Sequence, residues 1–391
     1  MITFEDAFTK ILEAAQQITP EKISVSINEA AGYVLQESII SKNDLPPFSK
    51  SAVDGFAILQ TDMEKELTIS GMIAAGQVHH HRIEPGQCYR IMTGAAIPEN
   101  AEMVVMQEYV EEHDNKIRIL QPSLKSNIIQ KAEDATSGQE LLSAGTYLHP
   151  RHIGILATAG YSKVMVSAKP SVGVLNTGSE LVEPGEKTGK HSIINSNGPQ
   201  TIALLKQLNI KGNYHGITMD KPEDTLERIL NGIQQNDILI ITGGVSEGRY
   251  DLVAQMLKKS GFDILFDKIQ LQPGKPSTLA IKDEKTVIGL PGNPVSSYVI
   301  FRLFVEPFII TWMNGRWEDP ALKLPIGKTI TRKRSEREKW VPVNIINGTA
   351  IPVEYHGSAH IHAISFATHI MRIPRNVKRI NEGEIVRVRP L

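Results

Sequence analysis

Four times between residues 171 and 296 a short aliphatic run stops at a polar loop, and three of these loops lead directly into a helical pattern. Few folds accommodate that rhythm. Repeated strand, loop and helix build a parallel sheet covered on both faces. The runs are Val172–Leu175, Lys211–Ile217, Asp237–Ile241 and Thr286–Gly289. Asp237–Ile241 is almost entirely aliphatic, so a strand buried on both faces is expected there. Helices are expected within Asn195–Leu208, capped by Ser196 or Asn197, and over Pro222–Gln234, with proline at its start. A helical pattern also begins at Asp251, and a long helix is expected after Leu290-Pro-Gly-Asn-Pro-Val-Ser296.

In such sheets ligands bind beyond the carboxyl ends of the strands. The loops at that edge are Asn176–Glu180, Thr218–Asp220, Thr242–Asp251 and Leu290–Ser296. Gly243, Gly244, Ser246 and the stretch Gly289–Asn293 would offer backbone N–H groups to an anion. The same stretches also read as plain turns between strand and helix. Glu180, Asp220 and Asp251 each follow a strand, and Glu247 stands beside Asp251. Three carboxylates at one edge suit a hard cation such as Mg²⁺, which takes oxygen ligands and keeps waters or phosphate oxygens. Lys275, in Pro-Gly-Lys-Pro, is a positive charge stiffened on both sides by proline. The chain has no Gly-x-x-x-x-Gly-Lys-Ser/Thr, no Gly-x-Gly-x-x-Gly and no Gly-x-Ser-x-Gly. These absences argue against a P-loop enzyme, a nicotinamide enzyme and an α/β-hydrolase.

The flanks differ in character. Thr3–Ile18 has the apolar spacing of an amphipathic helix, with Thr3 as N-cap and Asp6 three residues on. Glu29–Val34 is expected as a second short helix and Ser38–Ile40 as a strand. Asp44–Ala57 contains Pro46 and Pro47 followed by Ser, Lys, Asp and Gly, a stiff exposed loop bearing Asp54. Ala57 to about Gln130 reads as short strands, a β domain inserted into a more helical one. A helix over His149–Thr158 and a strand over Tyr161–Val166 precede a boundary near Lys169-Pro170. After Pro320, strands are expected at Lys328–Thr331, Trp340–Ile346, Ala350–Val353, His369–Ile373 and Glu384–Val388. His79-His80-His81 reads as a solvated loop, because neighbours on an extended chain point to opposite faces. His360 and His362 would share a strand face and a metal, or serve as surface histidines together with His356 and His369.

At 391 residues more than one domain is expected. Forty-two basic residues against 43 acidic ones leave a net charge of −1, which excludes a nucleic-acid binder relying on bulk charge. Cys88 is the only cysteine, so neither an intrachain disulfide nor a multi-thiolate zinc site is available. A reducing cytoplasm is the expected location. Met1–Lys10 carries Glu5 and Asp6 and no apolar stretch, so no secretory leader is expected. The longest apolar run, Val295–Met313, is interrupted by Arg302, Glu306 and Pro307, and a buried helix is expected rather than a membrane span. Residues alone thus lead to an α/β enzyme with flanking domains, a phosphorylated substrate and a divalent cation.

Six motifs add a resemblance. They are Leu45-Pro-Pro-Phe-Ser-Lys-Ser-Ala-Val-Asp-Gly-Phe-Ala57, Arg90-Ile-Met-Thr-Gly-Ala95, Asn176-Thr-Gly-Ser-Glu-Leu181, Gly243-Gly-Val-Ser246, Gln272-Pro-Gly-Lys-Pro276 and Leu290-Pro-Gly-Asn-Pro-Val-Ser296. In content and order they resemble the molybdopterin molybdenumtransferases of the MoeA family, which are similar to the gephyrin E domain. The resemblance covers nearly the whole chain. It implies a multidomain α/β fold with a central doubly wound parallel-sheet domain like molybdopterin adenylyltransferase, at about 170–315. It further implies a mixed N-terminal domain of 1–52 and 132–169, an inserted β domain at 53–131, and a C-terminal β-barrel at 316–391. A homodimer is implied, with the active site between subunits.

The implied reaction inserts molybdenum from molybdate into adenylated molybdopterin and releases AMP, with Mg²⁺ as cofactor. Site roles are implied for Asp54, Thr93, Asp134, Glu180, Asp220, Asp251 and Lys275. Metal ligation is implied for Glu180, Asp220 and Asp251. Substrate binding is implied for Gly243, Gly244, Ser246, Pro273, Gly274, Pro291, Gly292, Asn293 and Pro294. Transient contact with molybdopterin adenylyltransferase and with molybdoenzyme maturation proteins is implied, and no contact with nucleic acid or membrane. The chain departs from the family pattern at Lys50, at Glu247 and at His360, His362, Thr368 and His369. Those departures keep two alternatives in view: a scaffold of the gephyrin E type, and a paralogue preferring tungstate.

Overall fold

The computed structural model describes residues 1–77, 80–122, 125–244 and 252–391. The chain packs as two compact units. One comprises Met1–Gln36, Gly145–His149 and Val164–Leu391, and the other Glu37–Ala144 and Pro150–Lys163.

The first unit is built around a six-stranded sheet. Its strands are β1 (Val172–Thr177), β2 (Gly212–Thr218), β3 (Ile238–Thr242), β4 (Asp263–Phe266), β5 (Thr278–Lys282) and β6 (Lys285–Leu290), in the order β2-β1-β3-β6-β5-β4. The four strands expected from the aliphatic runs are mutually parallel. β5 and β4 continue the sheet antiparallel, so the sheet is mixed rather than purely parallel. β5 turns into β6 through Asp283 and Glu284, with Asp283 at φ 52. Such a tight reversal suits an antiparallel pair and needs no crossover helix.

Alternation along the strands produces the two-sided cover. Val172, Val174, Ile238, Ile240, Ile288 and Leu290 pack on one face, with α1 (Asn197–Gln207) and α4 (Pro294–Ile300). Leu175, Leu239, Ile241 and Val287 pack on the other, with α2 (Pro222–Gln235) and α3 (Leu252–Lys259). Ile238, Ile240 and Ile241 are fully buried, each contributing about 1.5–3 kcal/mol.

α4 runs on through Phe301–Val305, a π-helical stretch, into a further helical turn at Glu306–Trp312. Pro307 has no N–H for the carbonyl four residues earlier, and a widened turn at this place accommodates it. The 19-residue helix Pro294–Trp312 is long and apolar enough to cross a bilayer by length and composition, but 83% of its most apolar stretch is buried within the protein. The expected buried helix is therefore the observed one.

The N-terminal helix covers Phe4–Gln16, with Asp6 N donating to Thr3 Oγ1 at 3.1 Å. The expected helix over Glu29–Val34 is replaced by a 3₁₀ turn at Ile27–Glu29. Gly32 then takes φ 80, and Val34 and Leu35 bridge to Tyr147 and Val166. The main C-terminal sheet has strands at Leu322–Pro325, Glu338–Ile346, Thr349–Pro352, His369–Ile373 and Ile385–Pro390, the first of them not expected from the sequence. Leu271–Gln272 joins this sheet beside Glu338–Lys339. At the far edge Ile326 bridges Ala350, which returns the path of pairings to Thr349–Pro352.

The second unit holds its own six-stranded sheet, within Gly55–Ile119. Gly55 lies so close to the neighbouring strand that a Cβ there would stand 2.0 Å from Val105 O. Glycine is thus required directly after Asp54.

Candidate functional site

The carboxyl ends of the parallel strands open on a cleft of about 1070 Å³. It contains most of the residues singled out in the central domain: Glu180, Asp220, Gly243, Gly244, Pro273, Gly274, Lys275 and the Pro291–Pro294 loop. Ser246, Glu247 and Asp251 lie outside the described residues, as does His79. Asp54, Thr93 and Asp134 belong to the second unit.

The two described carboxylates arrive on loops tied to each other. Asp220 N donates to Ser179 Oγ at 3.0 Å, and Ser179 N donates to Asp220 Oδ2 at 3.3 Å. The β2 end is fixed separately, because Asp224 Oδ2 accepts from Thr218 Oγ1 at 2.6 Å and from Met219 N at 3.0 Å. Glu180 and Asp220 are both exposed. Among the described residues neither has an ion-pair partner, and no group of three or more His, Cys, Asp or Glu is arranged to hold a metal. Two carboxylates without a cation suit Mg²⁺, which uses one or two protein carboxylates and completes its shell with water and phosphate.

Where the loop after β3 begins, one of the expected amide donors is already taken. Gly243 N already donates to Leu290 O at 3.1 Å, so this amide is engaged by the sheet and is not offered to a phosphate. The glycines answer a lack of room. Gly243 has φ 85 and Gly244 φ 63; a Cβ on Gly243 would lie 2.4 Å from Thr177 O, and one on Gly244 2.6 Å from Thr177 Oγ1. Side chains here would also face the Pro291–Asn293 loop, since a Cβ on Gly292 would lie 3.6 Å from Gly243 Cα. Beneath the floor, Asn176 donates to Thr242 Oγ1, and Asn195 Nδ2 donates to Asn176 Oδ1 at 3.2 Å. Asn195 Oδ1 also accepts from Gly198 N at 3.1 Å. Ser196 holds the N-cap position of α1, as expected, but the side-chain bond to the helix start comes from Asn195, while Asn197 donates to Gly292 O at 2.7 Å.

The other wall is basic and was not anticipated. Arg337, Lys339, Tyr355, His356 and Ser358 line it, together with Lys275 and its proline-flanked loop. That loop is held in register by Leu271 and Gln272, which pair with Glu338 and Lys339. Ser277 Oγ donates to Gly274 O at 2.8 Å and tightens it. Burial, with the charge of Arg332, holds the Lys339 amine below the usual lysine range. Burial pushes the Tyr355 hydroxyl up to about 12. Asn293 Nδ2 donates to Ser358 Oγ at 2.9 Å, which joins the helix entrance to this wall.

His360 and His362 do not lie on a strand, because Ile361–Phe366 is a 3₁₀ helix. His360 stacks on His356 at 5.2 Å, and His362 meets Phe366 edge-on at 4.8 Å. The shared strand face needed for a two-histidine metal site is absent. His80 and His81 are exposed, and His81 stacks on Tyr89 at 4.8 Å.

In the second unit Asp54 and Thr93, 39 positions apart, are brought into contact. Asp54 Oδ1 accepts from Thr93 N at 2.7 Å and from Thr93 Oγ1 at 3.0 Å. These two bonds hold the Asp54 carboxyl below the usual carboxylate range. Asp134 lies opposite Leu45, its N–H donating to Leu45 O at 2.9 Å.

Among the described residues the chain carries a mixed α/β sheet, with an acidic and a basic wall at its carboxyl edge, and two further six-stranded sheets, the make-up of a multidomain α/β protein. Residues 173–311 match the probable molybdopterin binding domain, residues 2–160 the MoeA N-terminal region (domains I and II) and residues 328–391 the MoeA C-terminal region (domain IV). The chain belongs to the MoeA family. It is 33% identical over 407 aligned positions to the molybdopterin molybdenumtransferase of Staphylococcus epidermidis, covering 99% of this chain and 95% of that one. It is 32% identical to the enzyme of the same name from Staphylococcus aureus strain MRSA252, over 98% of this chain and 94% of that one. The crystal structure of the molybdopterin biosynthesis MoeA protein from Pyrococcus horikoshii superposes with a TM-score of 0.78 at 28% identity, covering all of both chains.

Proposed function

We propose that this protein inserts molybdenum from molybdate into adenylated molybdopterin and releases AMP, a late step of molybdenum cofactor biosynthesis. The observation that carries this reading is the pairing of opposite charges across one cleft: Glu180 and Asp220 on one side, Lys275, Arg337 and Lys339 on the other. A substrate with a pyrophosphate bridge needs both a cation site and fixed positive charge.

In this reading Glu180 and Asp220, with Asp251, would hold Mg²⁺, which when bound would neutralise the pyrophosphate and polarise the P–O bond that breaks. The chain's own groups do the rest. Lys275, Arg337 and Lys339 bind anionic oxygens of substrate and molybdate. Gly243, Gly244 and Gly292 keep the floor free of side chains, so the substrate approaches the backbone closely. Pro273, Gly274, Pro291, Asn293 and Pro294 fix the loops around it, and Ser246 belongs to the same substrate-binding set. Asp54 and Thr93, supplied by a second subunit of a homodimer, close the site, and Asp134 is a further acidic position of it.

A cytoplasmic location belongs to this reading, with adenylyltransferase and maturation proteins as transient partners. The proposed domain limits are 1–52 with 132–169, 53–131, 170–315 and 316–391. The scaffold reading is not favoured, because the described site positions retain their charged groups. The test is purified protein with adenylated molybdopterin, Mg²⁺ and either molybdate or tungstate, following AMP. Molybdate-dependent AMP release is the expected result; no release with either oxyanion overturns the reading. Release with tungstate alone shows the tungstate-preferring paralogue.

A further inference from the structure

Beneath the basic wall lies an ion pair that the reaction does not use. Glu338 is 3% exposed and begins the strand Glu338–Ile346. Its Oε2 accepts from Arg372 Nη2 at 2.5 Å, and its Oε1 accepts from Trp340 Nε1 at 2.9 Å. Arg372 sits on the neighbouring strand, opposite Trp340. It also pairs with Glu5 on the N-terminal helix and stands 5.5 Å from the centre of the Phe4 ring. Side chains alternate along a strand, and burial alternates here too: Glu338 and Trp340 are buried, while Arg337 and Lys339 are half-buried and line the cleft. Glu338 and Lys339 also carry the pairing to Leu271 and Gln272, from which the Lys275 loop departs.

We infer that the buried Glu338–Arg372 pair is a positioning device that sets Arg337, Lys339 and the Lys275 loop at the correct height in the cleft. This rests on the reading of that wall as the oxyanion side. A buried charge pair has strict geometry, because either member left alone in the interior is strongly unfavourable. An apolar pair would fill the same space but add no directional contact to the backbone pairing at this end of the strand. The pair therefore fixes the register between three segments far apart in sequence: the N-terminal helix, the Lys275 loop and the strand bearing Arg337 and Lys339. Neither member touches substrate, so both are positioning residues.

The test uses the full-length protein, with molybdate alone as probe in calorimetry and hydrogen exchange as the structural readout. In Glu338→Gln, amide exchange over residues 270–275 and 336–340 accelerates, and molybdate affinity falls roughly tenfold, the size of coupling expected between contacting groups. On an Arg337→Gln/Lys339→Gln background, Glu338→Gln causes no further loss of affinity. A fully additive loss overturns the inference. The charge-free pair Glu338→Leu/Arg372→Met keeps the melting temperature yet retains the weakened binding; wild-type affinity in that variant also overturns it. Should the unmodified protein bind no molybdate, the oxyanion reading fails, and exchange over 336–340 still decides whether the pair holds the strand.

Discussion

The molecule presents carboxylates in two different ways. Asp54 is a fixed acceptor: one oxygen receives both the amide and the hydroxyl of Thr93, and the residue after it lies against a strand too close to admit a side chain. Glu180 and Asp220 are exposed, with Asp220 tied to Ser179 by a single reciprocal pair of bonds and no cation beside either among the described residues. A carboxylate already satisfied by hydrogen bonds is suited to holding geometry or accepting one defined proton. Carboxylates left with open lone pairs are suited to taking a metal.

The largest expected effect tests the open pair. Glu180→Gln combined with Asp220→Asn lowers AMP release by about 10²–10³-fold, the cost of removing a preorganised electrostatic element. Single variants regain part of the rate as Mg²⁺ is raised, and a rate indifferent to Mg²⁺ breaks the comparison. Asp54→Asn comes next, with a loss of about a hundredfold that added Mg²⁺ does not restore. Restoration would place Asp54 with the metal ligands.

Thr93→Val has a smaller effect and acts through pH. Its native donors keep Asp54 ionised to lower pH than an ordinary aspartate. Losing the hydroxyl bond raises that limit, so the acid limb of kcat/KM moves to higher pH, and an unchanged limb refutes Asp54 as the titrating group. The smallest effect lies away from the cleft. His215 Nε2 stands 2.9 Å from Asn236 Nδ2, which requires the ring to be neutral, and burial with the charge of Arg228 holds its pKa below the usual range. The unfolded chain takes up the proton first. Stability is therefore complete above about pH 6.5 and declines as pH falls below it. His215→Gln flattens that part of the melting-temperature profile between about pH 7 and pH 5, and an unaltered slope discounts the imidazole.

The sheet was legible in the sequence because strands such as Ile238–Thr242 are buried on both sides, and few other environments accept an unbroken aliphatic run. The hairpin of Thr278–Lys282 and Lys285–Leu290 was only half seen. Its Asp283-Glu284 turn lacks the glycine that usually marks one, although Asp283 adopts the positive φ itself. The acidic wall was legible as well, because Glu180 and Asp220 each follow a strand of that sheet. Arg337 and Lys339 gave no such signal, since the four consecutive charges of 336–339 precede the strand expected from Trp340 and read as a solvated stretch. What makes them part of a site is the pairing of Glu338 and Lys339 with Leu271 and Gln272, far earlier in the chain, and that is a property of the folded molecule.

The widened turn at Phe301–Val305 sets a phase for everything beyond it. An α-helix advances by about 100° per residue; the wider turn absorbs one extra residue without that swing, so deleting a residue within it would leave the two halves nearly in phase, whereas deleting one on either side of it would swing one half of the helix by that angle. With Glu306–Trp312 anchored in the core, the half that would swing is the one whose first residues frame the cleft. Length in the regular parts of this helix is therefore under tighter constraint than composition. Exchange of one aliphatic side chain for another is absorbed locally, whereas losing a single residue between Asn293 and the widened turn would turn Asn293 away from Ser358 and unlatch the cleft at its entrance.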